Sequence, residues 1–158
     1  MLPFKTILFP TDFSPASEVA FEFACALARD YRARMIVMHV IESANFGFSE
    51  FTAYVGPEED KAEAKARVEG IHAPAHVTIE RRLFEGEPAT VIAEAAEEMG
   101  ADLIVMGTHG RTGLTRFVMG SVAEEVLRRA PCPVLTVRGA VKVNTAEVAE
   151  EMPETAML

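Results

Sequence analysis

The sequence predicts an α/β domain, a mainly parallel sheet with helices packed on both faces. Three observations carry that expectation. Continuously apolar runs at residues 34–41 (RMIVMHVI) and 103–106 (LIVM) lack the polar alternation of a half-solvated strand, so they read as strands covered on both sides. Stretches with apolar residues at helical spacing separate such runs, and strand–helix alternation requires right-handed crossovers between parallel neighbours. The 158 residues, 49% of them hydrophobic, suffice for one core, and a single domain over residues 1–139 is expected.

The elements follow in order. Residues 4–10 (FKTILFP) are β-rich and stop at a proline; Asp12 then sits in a short loop before Ser14-Pro15, an N-cap followed by a first-turn proline, with Glu18 in the first turns. The helix that starts there is expected to bury Ala20, Phe23, Ala24, Leu27 and Tyr31. Residues 34–41 form the second strand, in which His39 reads as a satisfied core or strand-edge histidine. Residues 42–56 are loop-like; Phe46, Phe48, Phe51 and Tyr54 can cover a ligand or tuck under the domain as a satellite cluster, and packing or a dimer contact is the favoured reading. Gly56-Pro57 and three acids lead into a charged helix whose EEDKAEAKARVE run is a solvated face with i,i+4 pairs. Residues 75–84 (AHVTIERRLF) give a third strand, at a sheet edge where Arg81 and Arg82 discourage further pairing, with His72 and His76 facing solvent. Gly86-Glu87-Pro88 opens a helix with Ile92, Ala93, Ala96 and Met99 inward and Gly100 as its stop. A last helix, from about Gly120 to Ala130, turns Val122, Val126 and Leu127 inward and halts at Pro131-Cys132-Pro133; the final strand opens at Val134 and closes at Arg138. Residues 140–158 lose periodicity and carry four glutamates against Lys142, an acidic extension expected to be a mobile tail or a short appended helix.

Charge and composition remove several classes. Fifteen basic against twenty-four acidic residues leave a net −9, which argues against nucleic-acid or anionic-membrane binding, so an anionic ligand has to be held locally. Cys25 and Cys132 have no metal spacing and read as reduced, packed thiols. The start lacks a secretory leader, and no apolar run reaches the ~18 residues of a membrane span, so a soluble, cytoplasmic protein is expected.

Chemistry concentrates after the run at 103–106. The stretch GTHGRTGLTRFVMGSV places Gly107 and Gly110 where a backbone with φ > 0 approaches a ligand, then Gly120, Ser121 and Val122 at the positive start of a helix. It is neither the dinucleotide G-x-G-x-x-G nor a Walker A loop, because no lysine precedes Ser121 and only Arg111 and Arg116 are basic. The spacing Gly107-x2-Gly110-x9-Gly120-Ser121 resembles that of the universal stress protein family, in its ATP-binding branch, and the resemblance covers about residues 1–138.

That resemblance implies a Rossmann-like, adenine nucleotide alpha hydrolase-like domain with five parallel strands in the order 3-2-1-4-5. It implies ATP as ligand, with or without Mg²⁺ or Mn²⁺, held by Pro10, Thr11, Asp12, the main chain at Val40, Met106, Gly107, His109, Gly110, Arg111, Gly120, Ser121 and Val122. By chemistry, Asp12 can accept ribose hydroxyls or cap its own turn, Ser121 can bond phosphate or serve as an N-cap, and Arg111 can clamp phosphate or stay solvated. His109 is read as fixing the loop rather than transferring protons. No catalytic residue and no protein-bound metal is expected. The function implied is that of a homodimeric, nucleotide-dependent stress-response protein, paired through the final strand and acting on a signalling partner the sequence does not name. The alternatives are a slow ATP hydrolase or nucleotidyl-transfer enzyme in the same pocket, and a nucleotide-free dimerisation module; AMP or a cyclic nucleotide stands open beside ATP.

Overall fold

The structure, a computed structural model, describes residues 4–42, 60–108 and 119–139. Strands and helices alternate: β1 (Thr6–Pro10), α1 (Pro15–Tyr31), β2 (Arg34–Glu42), α2 (Lys61–Glu69), β3 (Ile79–Gly86), α3 (Pro88–Glu98), β4 (Leu103–Gly107), α4 (Ser121–Arg129) and β5 (Val134–Val137). All pairings are parallel, and the five strands lie in the order β3-β2-β1-β4-β5. The expected class and strand order hold.

Strand parity divides the core. Ile7, Phe9, Met35, Val37, Leu103 and Val105 point to the face covered by α1. Leu8, Ile36, Met38, Val40, Ile104 and Met106 point to the opposite face, under α3 and α4. Every residue of β1 is buried, as a central strand demands. Each fully buried side chain of this size contributes about 1.5–3 kcal/mol. At the amino edge of the sheet one Asp102 oxygen accepts the N–H groups of Lys5 (2.8 Å) and Thr6 (2.9 Å), tying β1 to β4.

The helices differ from expectation in rotation rather than in existence. α1 buries Ala16, Ala20, Ala24 and Ala28, while Phe23 and Tyr31 are 52% and 40% exposed and Leu27 is only partly buried. The alanine row lets α1 sit low on the sheet: a Cβ added to Gly107 would lie 3.0 Å from the Ala16 carbonyl carbon. α2 begins at Lys61, capped by Asp60, whose carboxylate accepts from the Ala62 N–H. Its outer face pairs Lys65 with Glu69, and Ala64 and Val68 are buried. β3 starts later than expected because residues 75–77 form a turn. α3 buries Ala89, Ile92, Ala95 and Ala96, with Met99 packed beside them, and Gly100 follows at φ +61. α4 buries Ala123 and Val126, whereas Leu127, expected inward, is 43% exposed.

His72 and His76 are exposed, and His39 is buried with Nδ1 2.7 Å from the Thr11 carbonyl. A carbonyl can only accept, so that ring nitrogen carries the proton. Both cysteines are free thiols. Burial pushes the Cys25 thiol pKa up, with Glu22 adding to it; at Cys132 burial and Asp102 do the same against a weaker opposing bond from Ile104. Among the described residues no helix is long and apolar enough to cross a membrane. The expected aromatic loop (Phe46, Phe48, Phe51, Tyr54) and the acidic extension lie outside the described residues.

Candidate functional site

In a parallel sheet all carboxyl ends meet at one edge, and the four helices among the described residues begin there. β1 and β4 are neighbours whose connections leave in opposite directions, β1 towards β2 and β4 towards β5. That is the switch point at which open α/β sheets form a crevice.

The β1 side of the crevice is a tightly bonded turn. Thr11 continues the strand pairing through its N–H to the Met38 carbonyl (2.8 Å), and its side-chain oxygen accepts from the Phe13 N–H (3.0 Å) and the Ser17 hydroxyl (2.9 Å). Asp12 caps the turn, with Oδ1 accepting from the Ser14 N–H at 3.0 Å. Ser14 in turn caps α1 through the Ser17 N–H at 3.2 Å. β2 runs past the end of β1, pairing with β3 as far as Glu42 and Gly86. Val40 shares strand parity with Met38, so its main-chain groups point the same way, just beyond the last residue of β1. The Val40 side chain packs under α3 instead.

On the β4 side, Gly107 is not in the left-handed region expected of it. Among the described glycines only Gly86 and Gly100 have positive φ. Gly107 is required because the first turn of α1 rests on it, with the Ser17 nitrogen 3.1 Å from where a Cβ would stand. Thr108 bonds the Val137 carbonyl at 3.0 Å, and the Gly120 N–H donates to the Thr108 carbonyl at 2.7 Å. This corrects the expectation that the Gly120 N–H is a phosphate donor: it is bonded to the residue that follows β4. A second correction concerns Ser121. The N-cap is Gly120, extended at φ −61 and ψ 150, and Ser121 is the exposed first residue of the helix. A glycine cap has no side-chain oxygen to offer, and among the described residues no side chain caps this helix. The N–H groups of Ser121, Val122 and Ala123 therefore have no acceptor within the helix, the first intrahelical bond running from the Glu124 N–H to the Gly120 carbonyl, and a helix start of this kind suits an anion.

α3 starts on the same edge and is closed. The Glu87 carboxylate accepts from the N–H groups of Ala89 (3.1 Å) and Thr90 (2.8 Å) and from the Thr90 hydroxyl. Burial pushes the Glu87 carboxyl up, but the bonds from Thr90 and Ala89 and the charge of Arg129 outweigh it and hold its pKa below the usual glutamate value. A groove of about 610 Å³ beside it is lined by Glu85, Glu87, Glu94, Glu125 and Arg129. Arg129 is already held by Glu125 (2.6 Å) and Thr90 (2.6 Å), so this acidic groove repels an anion. A smaller groove of about 280 Å³ is lined by Ser121 and Val122 together with Glu87, Glu124, Glu125 and Arg128, the last held by Glu125 at 2.9 Å, so an anion at this helix start relies on the main-chain donors rather than on side-chain charge.

The carboxyl edge thus collects Pro10, Thr11, Asp12, Met106, Gly107, Gly120, Ser121 and Val122, with Val40 beside them. The side chains of Pro10 and Met106 are buried, and both residues pair within the sheet, Pro10 with Met38 and Met106 with Thr136. His109, Gly110 and Arg111 lie outside the described residues. Among the described residues no group of three or more His, Cys, Asp or Glu is placed to hold a metal ion. Phe13 and Arg67 also border the Asp12 turn and were not anticipated: the Arg67 guanidinium carbon stands 3.9 Å from the centre of the Phe13 ring. Phe13 reads as ordinary packing, and nothing in a charged helix marks one arginine over its neighbours.

The model of the universal stress protein family matches residues 3–138, nearly the whole of the sheet-forming chain. The chain belongs to the universal stress protein family. A universal stress protein of Methanocaldococcus jannaschii is 39% identical over 141 residues, covering 85% of this chain and 82% of that one. Among solved structures, a hypothetical protein whose biochemical function was assigned from its structure superposes with a TM-score of 0.72 at 30% identity, covering 89% of this chain and 99% of that chain. A universal stress protein in complex with cAMP gives 0.61 at 27%, covering 88% and 100%. One from Archaeoglobus fulgidus in complex with dAMP gives 0.58 at 26%, covering 86% and 99%. Two universal stress proteins of this fold therefore hold adenine nucleotides, and the present one shares their sheet.

Proposed function

We propose that this universal stress protein binds ATP in the crevice between β1 and β4 and acts as a homodimeric, nucleotide-dependent stress-response protein rather than as an enzyme. The observation that carries the reading is the start of α4, capped by a glycine at the same edge as the Asp12 turn. An uncapped helix start attracts anions through its free N–H groups and its dipole, with no lysine required. In this reading Ser121 and Val122 hold phosphate through their N–H groups, and the Ser121 hydroxyl adds a third donor. The Asp12 carboxylate accepts the ribose hydroxyls, and the Val40 main chain meets the adenine edge. His109, Gly110 and Arg111 complete the phosphate side. Mg²⁺ or Mn²⁺ enters, if at all, with the nucleotide.

Binding rather than catalysis is favoured because the Asp12 carboxylate already accepts from Ser14, which weakens it as a base, and hydrolysis needs a water-activating group beside charge-stabilising ones. Turnover is at most slow or partner-dependent. Pairing through the outer edge of β5, a four-residue strand with no neighbour on that side among the described residues, supplies the dimer. The signalling partner stays unassigned. Calorimetry and thermal shift of the full chain with ATP, ADP, AMP and cAMP, with and without Mg²⁺, test the reading. Saturable binding strongest for ATP supports it, and the absence of binding by all four refutes it.

A further inference from the structure

Beside the Asp12 turn lies a contact that nucleotide binding as described leaves unexplained. Phe13 adopts φ +60, the left-handed region that side chains other than glycine and asparagine rarely occupy. Glycine would take that conformation without strain, so the ring must be serving some purpose. Its neighbours come from two different elements: the His39 ring of β2, 4.6 Å away between centroids and tilted by 48°, and the Arg67 guanidinium of α2, 3.9 Å above the ring. His39 is itself anchored to the Thr11 carbonyl at 2.7 Å.

The backbone on either side of Phe13 holds the site. Its own N–H fixes the Thr11 side chain, and the next N–H, that of Ser14, fixes Asp12 Oδ1. The backbone torsions at Phe13 set the direction of both N–H groups, so a change in its left-handed φ turns the donors that hold Thr11 and the Asp12 carboxylate. We propose that Phe13, clamped between His39 and Arg67, is a positioning residue that aims the Asp12 carboxylate at the ribose of a bound nucleotide and so makes α2 part of sugar recognition. The proposal rests on the ATP-binding reading. It assigns α2, which begins on the far side of the crevice from the phosphates, a role in telling one sugar from another.

The consequence is a selective defect. Losing the clamp disturbs only the ribose contact and leaves the phosphate donors of α4 in place. The test compares ATP with 2′,3′-dideoxy-ATP, by calorimetry on the full chain, in the wild type, Phe13→Ala, Phe13→Tyr and Arg67→Ala. The wild type is expected to prefer ATP by about tenfold, the scale of one lost charge-assisted hydrogen bond. Phe13→Ala should shrink that preference to within about twofold while dideoxy-ATP affinity stays within about twofold of wild type, and Phe13→Tyr should restore it. Arg67→Ala, an exposed change that spares the core, should reduce the preference to about threefold, which keeps the test decisive if Phe13→Ala folds poorly. A wild-type preference retained in both Phe13→Ala and Arg67→Ala overturns the proposal, as does an equal loss of both nucleotides at unchanged melting temperature. A wild-type protein that binds neither nucleotide overturns the underlying site and the proposal with it.

Discussion

Two helices begin side by side on the carboxyl edge of the sheet and meet opposite electrostatic fates. α3 starts at Glu87, whose carboxylate lies against its own first-turn N–H groups. α4 starts at Gly120, which brings no side-chain oxygen, and its own N–H is taken by the Thr108 carbonyl. Both starts carry the positive end of a helix dipole, but their donors differ. Pro88 leaves α3 without a first N–H, and Glu87 takes the next two, those of Ala89 and Thr90. In α4 the first three residues all have an N–H, the first-turn carboxylate of Glu124 faces Arg128 at 3.8 Å, and no cap side chain bonds those donors, so a nucleotide phosphate is the candidate. Cap and first-turn residues together separate a structural joint from a candidate binding surface.

The comparison can be broken by making α4 resemble α3. Gly120→Asp supplies the missing carboxylate on a backbone that any residue can adopt, and it should lower ATP affinity by at least about tenfold, or about 1.4 kcal/mol, while raising stability by a few tenths of a kcal/mol. Calorimetry paired with urea unfolding separates the two effects, and unchanged affinity would remove the contrast. The reverse change, Glu87→Ala, uncovers the start of α3. It should cost about 1 kcal/mol of stability by denaturant titration without weakening ATP, because the acidic groove beside it does not accept an anion.

Smaller effects sharpen the picture. Ser121→Ala removes a hydroxyl and keeps the N–H, so ATP binding should weaken about threefold to tenfold. Because Ser121 is exposed and is not the cap, melting should shift by less than about 0.5 kcal/mol equivalent, whereas loss of a true N-cap would cost about twice that. The smallest expected signal is in pH. The Glu87 pKa is lower in the folded chain than in the unfolded one, so its contribution is fully present above the ordinary glutamate value and is lost as pH falls through the depressed folded value. Urea midpoints followed from about pH 6 to about pH 3 should therefore fall less steeply in Glu87→Gln than in the wild type.

Most of the architecture could be read from the residues. The unbroken apolar run of β2 marked a strand buried on both faces, and Ser14-Pro15, Glu87-Pro88 and Gly100 marked helix ends that stand where expected. The rotation of α1 could not be read, since Phe23, Leu27 and Tyr31 satisfy helical periodicity as well as the alanine row does. Packing chose the small residues because α1 lies directly on Gly107, and closeness to the sheet outweighed the larger apolar area of the aromatics.

Within the site, the spacing of Gly107, Gly120 and Ser121 pointed to the right edge of the sheet, but their roles depended on hydrogen bonds that no spacing encodes. Gly107 answers to a helix above it, Gly120 spends its N–H on Thr108, and the cap falls one residue before Ser121. Phe13 was invisible for a similar reason, because a left-handed φ at a phenylalanine is imposed by tertiary contacts against its local preference.

The account depends on which main-chain N–H groups receive the phosphates, and amide resonances observed by nuclear magnetic resonance during an ATP titration report this residue by residue. The largest shifts should fall on the Ser121 and Val122 amides, with those of Ala89 and Thr90 unmoved. Shifts at the start of α3 with Ser121 and Val122 unchanged would contradict it.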